Sequence, residues 1–196
     1  SVINDIKKFV SNEVYFIPSH PLAGTEHSGP KSGFASLFEN RYWIIVSSVK
    51  NEKTLILEKI FSRFGAIVEY MDPEYHDKTL AITSHLPHLI AYTIVGTASN
   101  LEVDLKNDII RYAATGFRDF TRLASSDPTM WRDIFLNNND AVLEMLQRFN
   151  KDLLELKKMI IEKKEQELFE FFSKIKKIRS KIVEFGQHEF EDFKKK

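Results

Sequence analysis

The stretch Ala66-Ile67-Val68-Glu69-Tyr70-Met71-Asp72-Pro73-Glu74-Tyr75-His76-Asp77 divides this chain of 196 residues into two kinds of sequence. Ala66 to Met71 is rich in β-branched and aromatic side chains and predicts a strand. Asp72-Pro73 predicts a helix start, with Asp as N-cap and Pro at the first helical position, where its missing N–H removes no hydrogen bond. Upstream, Val2 to Val10 has helical spacing. Val14 to Ile17 and Tyr42 to Val46 read as strands, the first ended by Pro18. Thr54 to Phe64 reads as a helix closed by Gly65. Helix, strand, long loop, strand, helix, strand is the order found at the end of an α/β domain.

Downstream of Asp72 the sequence contains no convincing strand. A helix is expected to about Asn100, kinked near residues 83 to 87 by Pro87. Asp127-Pro128 repeats the start signal, and Asn137 to Asn139 separates that helix from the next. Val142, Leu146, Phe149, Leu153, Leu156 and Ile160 then recur at alternating four- and three-residue spacings, a seam suited to packing along another helix. Leu168, Phe171, Ile175, Ile178 and Ile182 form a second series, out of phase, so a break is expected between Glu162 and Glu167. Periodicity leaves an intramolecular bundle and a dimer interface equally open. The fold class expected is α+β, mostly α.

Composition narrows the function. Basic and acidic side chains balance at 28 each, which argues against a general nucleic-acid binder. The absence of Cys excludes thiol chemistry and disulfides. Tyr42 to Val46, the longest apolar run, is far short of the ~20 residues of a membrane span, and a cytoplasmic protein is expected. Residues 151–196 carry a net charge of +3 and residues 1–150 a net of −3. Five of the six His lie between residues 20 and 88, so histidine chemistry belongs to the first half.

Four strings could carry chemistry. His20 to Gly29 follows the expected first strand, where an α/β sheet places ligands and a His could act as a general base. A surface-loop His is the ordinary alternative. Ser84-His85-Leu86-Pro87-His88 lies in the kinked helix, with Ser84 and His88 on one face with Asp77. Helix capping or a buried, hydrogen-bonded His would explain it equally, and the three-residue His spacing gives little support to a metal site. Gly116 to Arg122 sets Arg118 and Arg122 four apart, a guanidinium pair suited to a dicarboxylate. Ser125 to Asp133 continues that string. Ordinary pairing of these arginines with Asp119 or Asp133 is the plainer reading.

Together with Pro73 to Asp77, and in this order from about Val14 to Leu156, the strings closely resemble the prephenate and arogenate (cyclohexadienyl) dehydrogenases of tyrosine biosynthesis, most of all the alphaproteobacterial type. The C-terminal tail matches more loosely. The resemblance implies that residues 1–71 are the C-terminal edge of a Rossmann-like nucleotide-binding α/β domain. Residues 72–196 would be an all-helical substrate-binding and dimerisation domain. The implied oxidoreductase reaction is an oxidative decarboxylation, with hydride passing from the ring carbon bearing the hydroxyl to NAD or NADP.

By the family pattern His20 takes the hydroxyl proton and Arg122 holds the ring carboxylate, with Arg118 adding positive potential. His88, Ser84 and Trp131 line the pocket, with Thr25 and Glu26 nearby. Glu26 and Asp119 are the acidic groups that could favour arogenate. A homodimer through the helical domain is implied, and the resemblance leaves tyrosine inhibition open. No Gly-x-Gly occurs in the chain, so the 196 residues are expected to be a C-terminal portion that binds no cofactor by itself and turns nothing over. The alternative of another class is a non-catalytic helical dimer that binds tyrosine or a related aromatic acid for regulation.

Overall fold

The computed structural model describes residues 2–24, 29–101 and 111–184. Their contacts group the chain into two compact units, residues 1–146 and 147–196.

In the first unit a short helix α1 (Val2–Lys7) precedes β1 (Ser19–Pro21), β2 (Tyr42–Val46), α2 (Glu52–Arg63) and β3 (Ile67–Met71). The sheet order is β1-β2-β3. β2 and β3 run parallel, with Ile44 opposite Glu69, while β1 is antiparallel to β2, with His20 opposite Ile44. Central β2 supplies the core residues Ile44, Ile45 and Val46, all buried.

The connection from β2 to β3 is locally determined. Asn51 caps α2 by accepting the Lys53 and Thr54 amides at 3.0 and 3.1 Å, while Thr54 Oγ1 accepts the Asn51 amide at 2.9 Å, a reciprocal capping box. At the far end Gly65 takes φ +80, the left-handed turn that glycine adopts most cheaply. Trp43 stacks on Phe61 with ring centroids 4.0 Å apart, fastening α2 to the sheet.

The first strand is not the expected one. Val14 and Tyr15 are exposed and unpaired with the sheet, whereas Ser19 to Pro21 pairs with β2, flanked by bonds from the Val46 amide to Pro18 O and from the Leu22 amide to Tyr42 O. An apolar run becomes a strand only if a partner strand receives it, and β2 receives the residues after Pro18. Pro21 is tolerated because β1 is an edge. His20 therefore lies within a strand rather than after one. The opening helix is also shorter than its spacing suggests, ending at Lys7.

Beyond β3 the described residues form helices joined by turns, with no strand among them. α3 (Pro73–Leu80) is capped by Asp72, which accepts the Glu74 and Tyr75 amides. It passes into a π-helical turn, Ala81–His85, and then into α4 (Leu86–Ser99). The expected kink takes this form: the Leu86 amide reaches back to Ala81 O, and Pro87 offers no N–H to restore the ordinary register. α5 (Thr115–Thr121) tightens into a 3-10 turn, Arg122–Ser125. α6 (Pro128–Asn137) begins on its Asp127 cap, and α7 (Asn139–Ile161) follows. Ala81, Ala141 and Val142 form a second core with Phe135 and Met145 packed against it.

The second unit holds the rest of α7 and α8 (Glu165–Glu184). The expected break falls between them, with Lys163 at φ +53 and the Lys164 amide bonded to Met159 O. Leu153 and Ile160 on α7, and Ile175, Ile178 and Ile182 on α8, are exposed.

Candidate functional site

Five elements of the first unit converge on a cluster of imidazoles. β1 carries His20, α3 carries His76 and Asp77, the π turn ends in His85, α4 begins with Leu86 and carries His88, and α6 carries Trp131. His20 Nδ1 lies 3.1 Å from His76 Nε2, and His76 Nδ1 lies 3.0 Å from Asp77 Oδ1. Asn138 Nδ2 donates to Asp77 O at 2.9 Å and lies 3.2 Å from His85 Nδ1, tying α3 and the π turn to the junction of α6 and α7. His88 Nδ1 donates to Ser84 O at 2.8 Å.

Trp131 is the apolar floor of this cluster. His88 stacks on it at 3.7 Å between ring centroids, His85 meets it edge-on at 6.1 Å, and Phe135 lies at 5.4 Å. Trp131 is 5% exposed, and its indole Nε1 has no hydrogen-bond partner among the described residues. A buried donor left this way loses free energy until a partner arrives. Tyr92 Oη donates to Ser126 O at 2.8 Å, fixing α4 against the end of the turn that starts with Arg122.

The surroundings disfavour the charged forms of His20, His85 and His88. Burial lowers the pKa of His20, and the neighbouring His76 lowers it further. His85 is pushed down to about 4, first by burial, then by the charges of His20 and His76. Burial also lowers His88; its bond to Ser84 O opposes the shift, and the Arg122 guanidinium adds to it. A neutral imidazole shielded from water is suited to accept a proton, and a guanidinium whose charge is felt at His88 is suited to hold a carboxylate.

Of the residues singled out from sequence, His20, Ser84, His88 and Trp131 lie in or against this cluster, and Arg122 interacts with it through His88. Ser84 engages His88 through its backbone carbonyl, because the π turn interrupts the α-helical register that would have put Asp77, Ser84 and His88 on one face. Arg118 and Asp119 are exposed on α5, one turn before Arg122. Arg132 pairs with Asp133 at 2.7 Å. Thr25 and Glu26 lie outside the described residues. His76, His85 and Asn138 are not among the site residues expected from sequence, although His76 lies in the Pro73 to Asp77 string and His85 in the Ser84 to His88 string that carry the resemblance.

Among the described residues, no group of three or more His, Asp or Glu is arranged to hold a metal ion, and no helix is long and apolar enough to cross a membrane. A dinucleotide needs backbone amides from a Gly-rich turn at a helix N-terminus. The positive-φ glycines described, Gly24, Gly29 and Gly65, are scattered, so these residues by themselves do not fit the phosphates of such a cofactor.

Two family models match the chain. The prephenate dehydrogenase nucleotide-binding domain matches residues 1–70, and the prephenate dehydrogenase dimerization domain matches residues 72–174. The chain is 39% identical over 181 residues to the cyclohexadienyl dehydrogenase of Zymomonas mobilis, an alphaproteobacterium, covering 91% of this chain and 61% of that one. It is 32% identical over 180 residues to the prephenate dehydrogenase of Bacillus subtilis, covering 91% and 48%. Among solved structures, Aquifex aeolicus prephenate dehydrogenase in complex with hydroxyphenyl propionate and NAD+ superposes with a TM-score of 0.78. That match has 38% identity and covers 85% of this chain and 59% of that one. The chain thus spans about half to three fifths of the length of these relatives.

Proposed function

The chain belongs to the prephenate dehydrogenase family, and from that premise we propose that it supplies the substrate site and dimer contacts of a prephenate or arogenate dehydrogenase. The observation that carries this reading is the convergence of a neutral, half-buried His20 with the His88–Trp131 stack and Arg122. Residues 1–71 serve the nucleotide side and residues 72–196 the substrate and dimer side. In the reaction, hydride passes to a nicotinamide dinucleotide as the ring carboxylate leaves as carbon dioxide and the ring becomes aromatic.

His20 accepts the proton of the substrate hydroxyl, which favours hydride departure from the carbon that bears it. Arg122 fixes a carboxylate by a charge-assisted pair, and Arg118 adds positive potential at longer range. The Trp131 face and His88 enclose the ring and exclude water with Ser84 beside them, and Thr25 and Glu26 are the further residues assigned to substrate binding. Asp119 and Glu26 are the acidic groups available to favour the ammonium of arogenate over the keto group of prephenate. We rank prephenate first as substrate. The exposed seam through Leu153 and Ile160 closes a homodimer, and the enzyme works in the cytoplasm, where tyrosine is a candidate inhibitor.

The test uses these residues joined to a complete nucleotide-binding domain. Turnover of prephenate at least equal to that of arogenate is the expected result, and strict arogenate use overturns the substrate ranking. Arg122→Ala is expected to weaken substrate binding by about 2 to 5 kcal/mol, the range for losing one partner of a desolvated charge pair. Tyrosine binding with no turnover of either substrate would replace the enzyme reading with the regulatory module.

A further inference from the structure

We propose that His76 and Asp77 act as a positioning relay that fixes the tautomer of His20, leaving its Nε2 as the nitrogen that accepts the proton. The proposal rests on the reading of His20 as the base.

The chain of contacts is short and comes from two elements. Asp77 Oδ1 lies 3.0 Å from His76 Nδ1, and His76 Nε2 lies 3.1 Å from His20 Nδ1, with the two rings edge-on at 5.3 Å. The side chains of His76 and Asp77 are only 14% and 25% exposed, so water competes weakly for these bonds. The Asp77 backbone is held in turn by Asn138.

Hydrogen counting along this chain leads to one tautomer. A carboxylate only accepts, so His76 must present Nδ1–H to Asp77. A neutral His76 then has a lone pair at Nε2 and can only accept there. His20 must therefore donate from Nδ1, and its own lone pair is at Nε2. Without the relay, His20 would revert toward Nε2–H, the tautomer that free histidine favours, and would present a hydrogen to the substrate hydroxyl where an acceptor is needed. The logic is that of any base oriented by a third group: the orienting residue never meets the substrate, yet decides which nitrogen does.

His85 does not compete for the role. Its Nδ1 faces Asn138 Nδ2, an amide donor, so its hydrogen belongs on Nε2, and no hydrogen bond between His85 and His20 occurs among the described residues.

The test is long-range proton–nitrogen NMR of the 196-residue chain labelled with 15N-histidine, at pH 8.5, above the ordinary imidazole range. The His20 signals are assigned from a His20→Gln sample. The expected wild-type result is His20 protonated at Nδ1. His76→Asn, whose amide is too short to reach His20, is expected to move most of that hydrogen to Nε2. His76→Gln, whose carbonyl can take the place of His76 Nε2, is expected to keep it on Nδ1. Wild-type His20 protonated at Nε2 overturns the relay, as does a His76→Asn spectrum with the tautomer unchanged.

Turnover in the enzyme carrying the complete nucleotide-binding domain separates this inference from the reading beneath it. His76→Asn is expected to lower kcat at least tenfold with KM changed less than twofold, and His76→Gln to recover most of the loss. A tautomer shift with kcat unchanged supports the relay and removes His20 as the base. An inactive His20→Asn beside a His76→Asn with normal tautomer and normal kcat removes the relay and leaves the base in place.

Discussion

Acidification between pH 7.5 and 4.5 should destabilise the fold through His85 by an amount that the structure sets. His85 is 8% exposed, and its pKa falls from 6.5 to about 4 in the folded chain. A base depressed in this way binds fewer protons folded than unfolded between the two values. Its contribution to stability is complete above about pH 6.5 and is lost progressively as pH falls toward 4. Integrating over the window gives a loss of about 2.5 kcal/mol at pH 4.5 relative to pH 7.5, which solvent screening at the cluster's rim trims to about 2 kcal/mol. The assay is urea unfolding of wild type and His85→Gln at both pH values. The variant lacks the titrating ring but keeps the other His residues and the carboxylates, so its pH dependence should be smaller by about 2 kcal/mol. Equal pH dependence in the two proteins refutes the assignment of a buried, proton-excluding site to His85.

Other expected outcomes follow from single contacts. Trp131→Ala should cost about 3 to 5 kcal/mol by urea unfolding, whereas Trp131→Phe should cost much less, since the indole N–H it deletes has no partner among the described residues. A Cβ on Gly65 would lie 2.9 Å from Glu39 Cγ and 3.2 Å from its Cα at φ +80, so Gly65→Ala should destabilise by about 1 to 2 kcal/mol, read as a lowered urea midpoint. Light scattering at micromolar concentration should give a dimer mass, and Leu153→Glu combined with Ile160→Glu should give a monomer; a monomeric wild type removes the proposed interface.

Much of the fold was legible because its signals are local. Asp72-Pro73, Asp127-Pro128 and Gly65 each act within a single turn, and each marks an element boundary in the structure. The misplaced first strand shows the opposite case. Val14 to Ile17 has the composition of a strand, but pairing with β2 selects Ser19 to Pro21, a choice made by residues more than twenty positions away. Pro87 announced a break, yet whether the helix kinks or inserts a π turn depends on how the freed carbonyls are satisfied in the packed state. His88 reading Ser84 O through its ring is part of that answer. The pairing of His20 with His76 spans 56 residues. Nothing in the spacing of either could reveal it, although the resemblance had already drawn His20, His88, Trp131 and Arg122 toward one site.

The measurement that bears most directly on the account is steady-state turnover of prephenate by His20→Asn in the enzyme that joins these residues to a complete nucleotide-binding domain. Loss of the proton acceptor alone should lower kcat by about 10²- to 10⁴-fold while KM stays within a few-fold of wild type. Wild-type kcat in that variant, or a loss confined to KM, would contradict the assignment of His20 as the base and with it the chemistry proposed for this site.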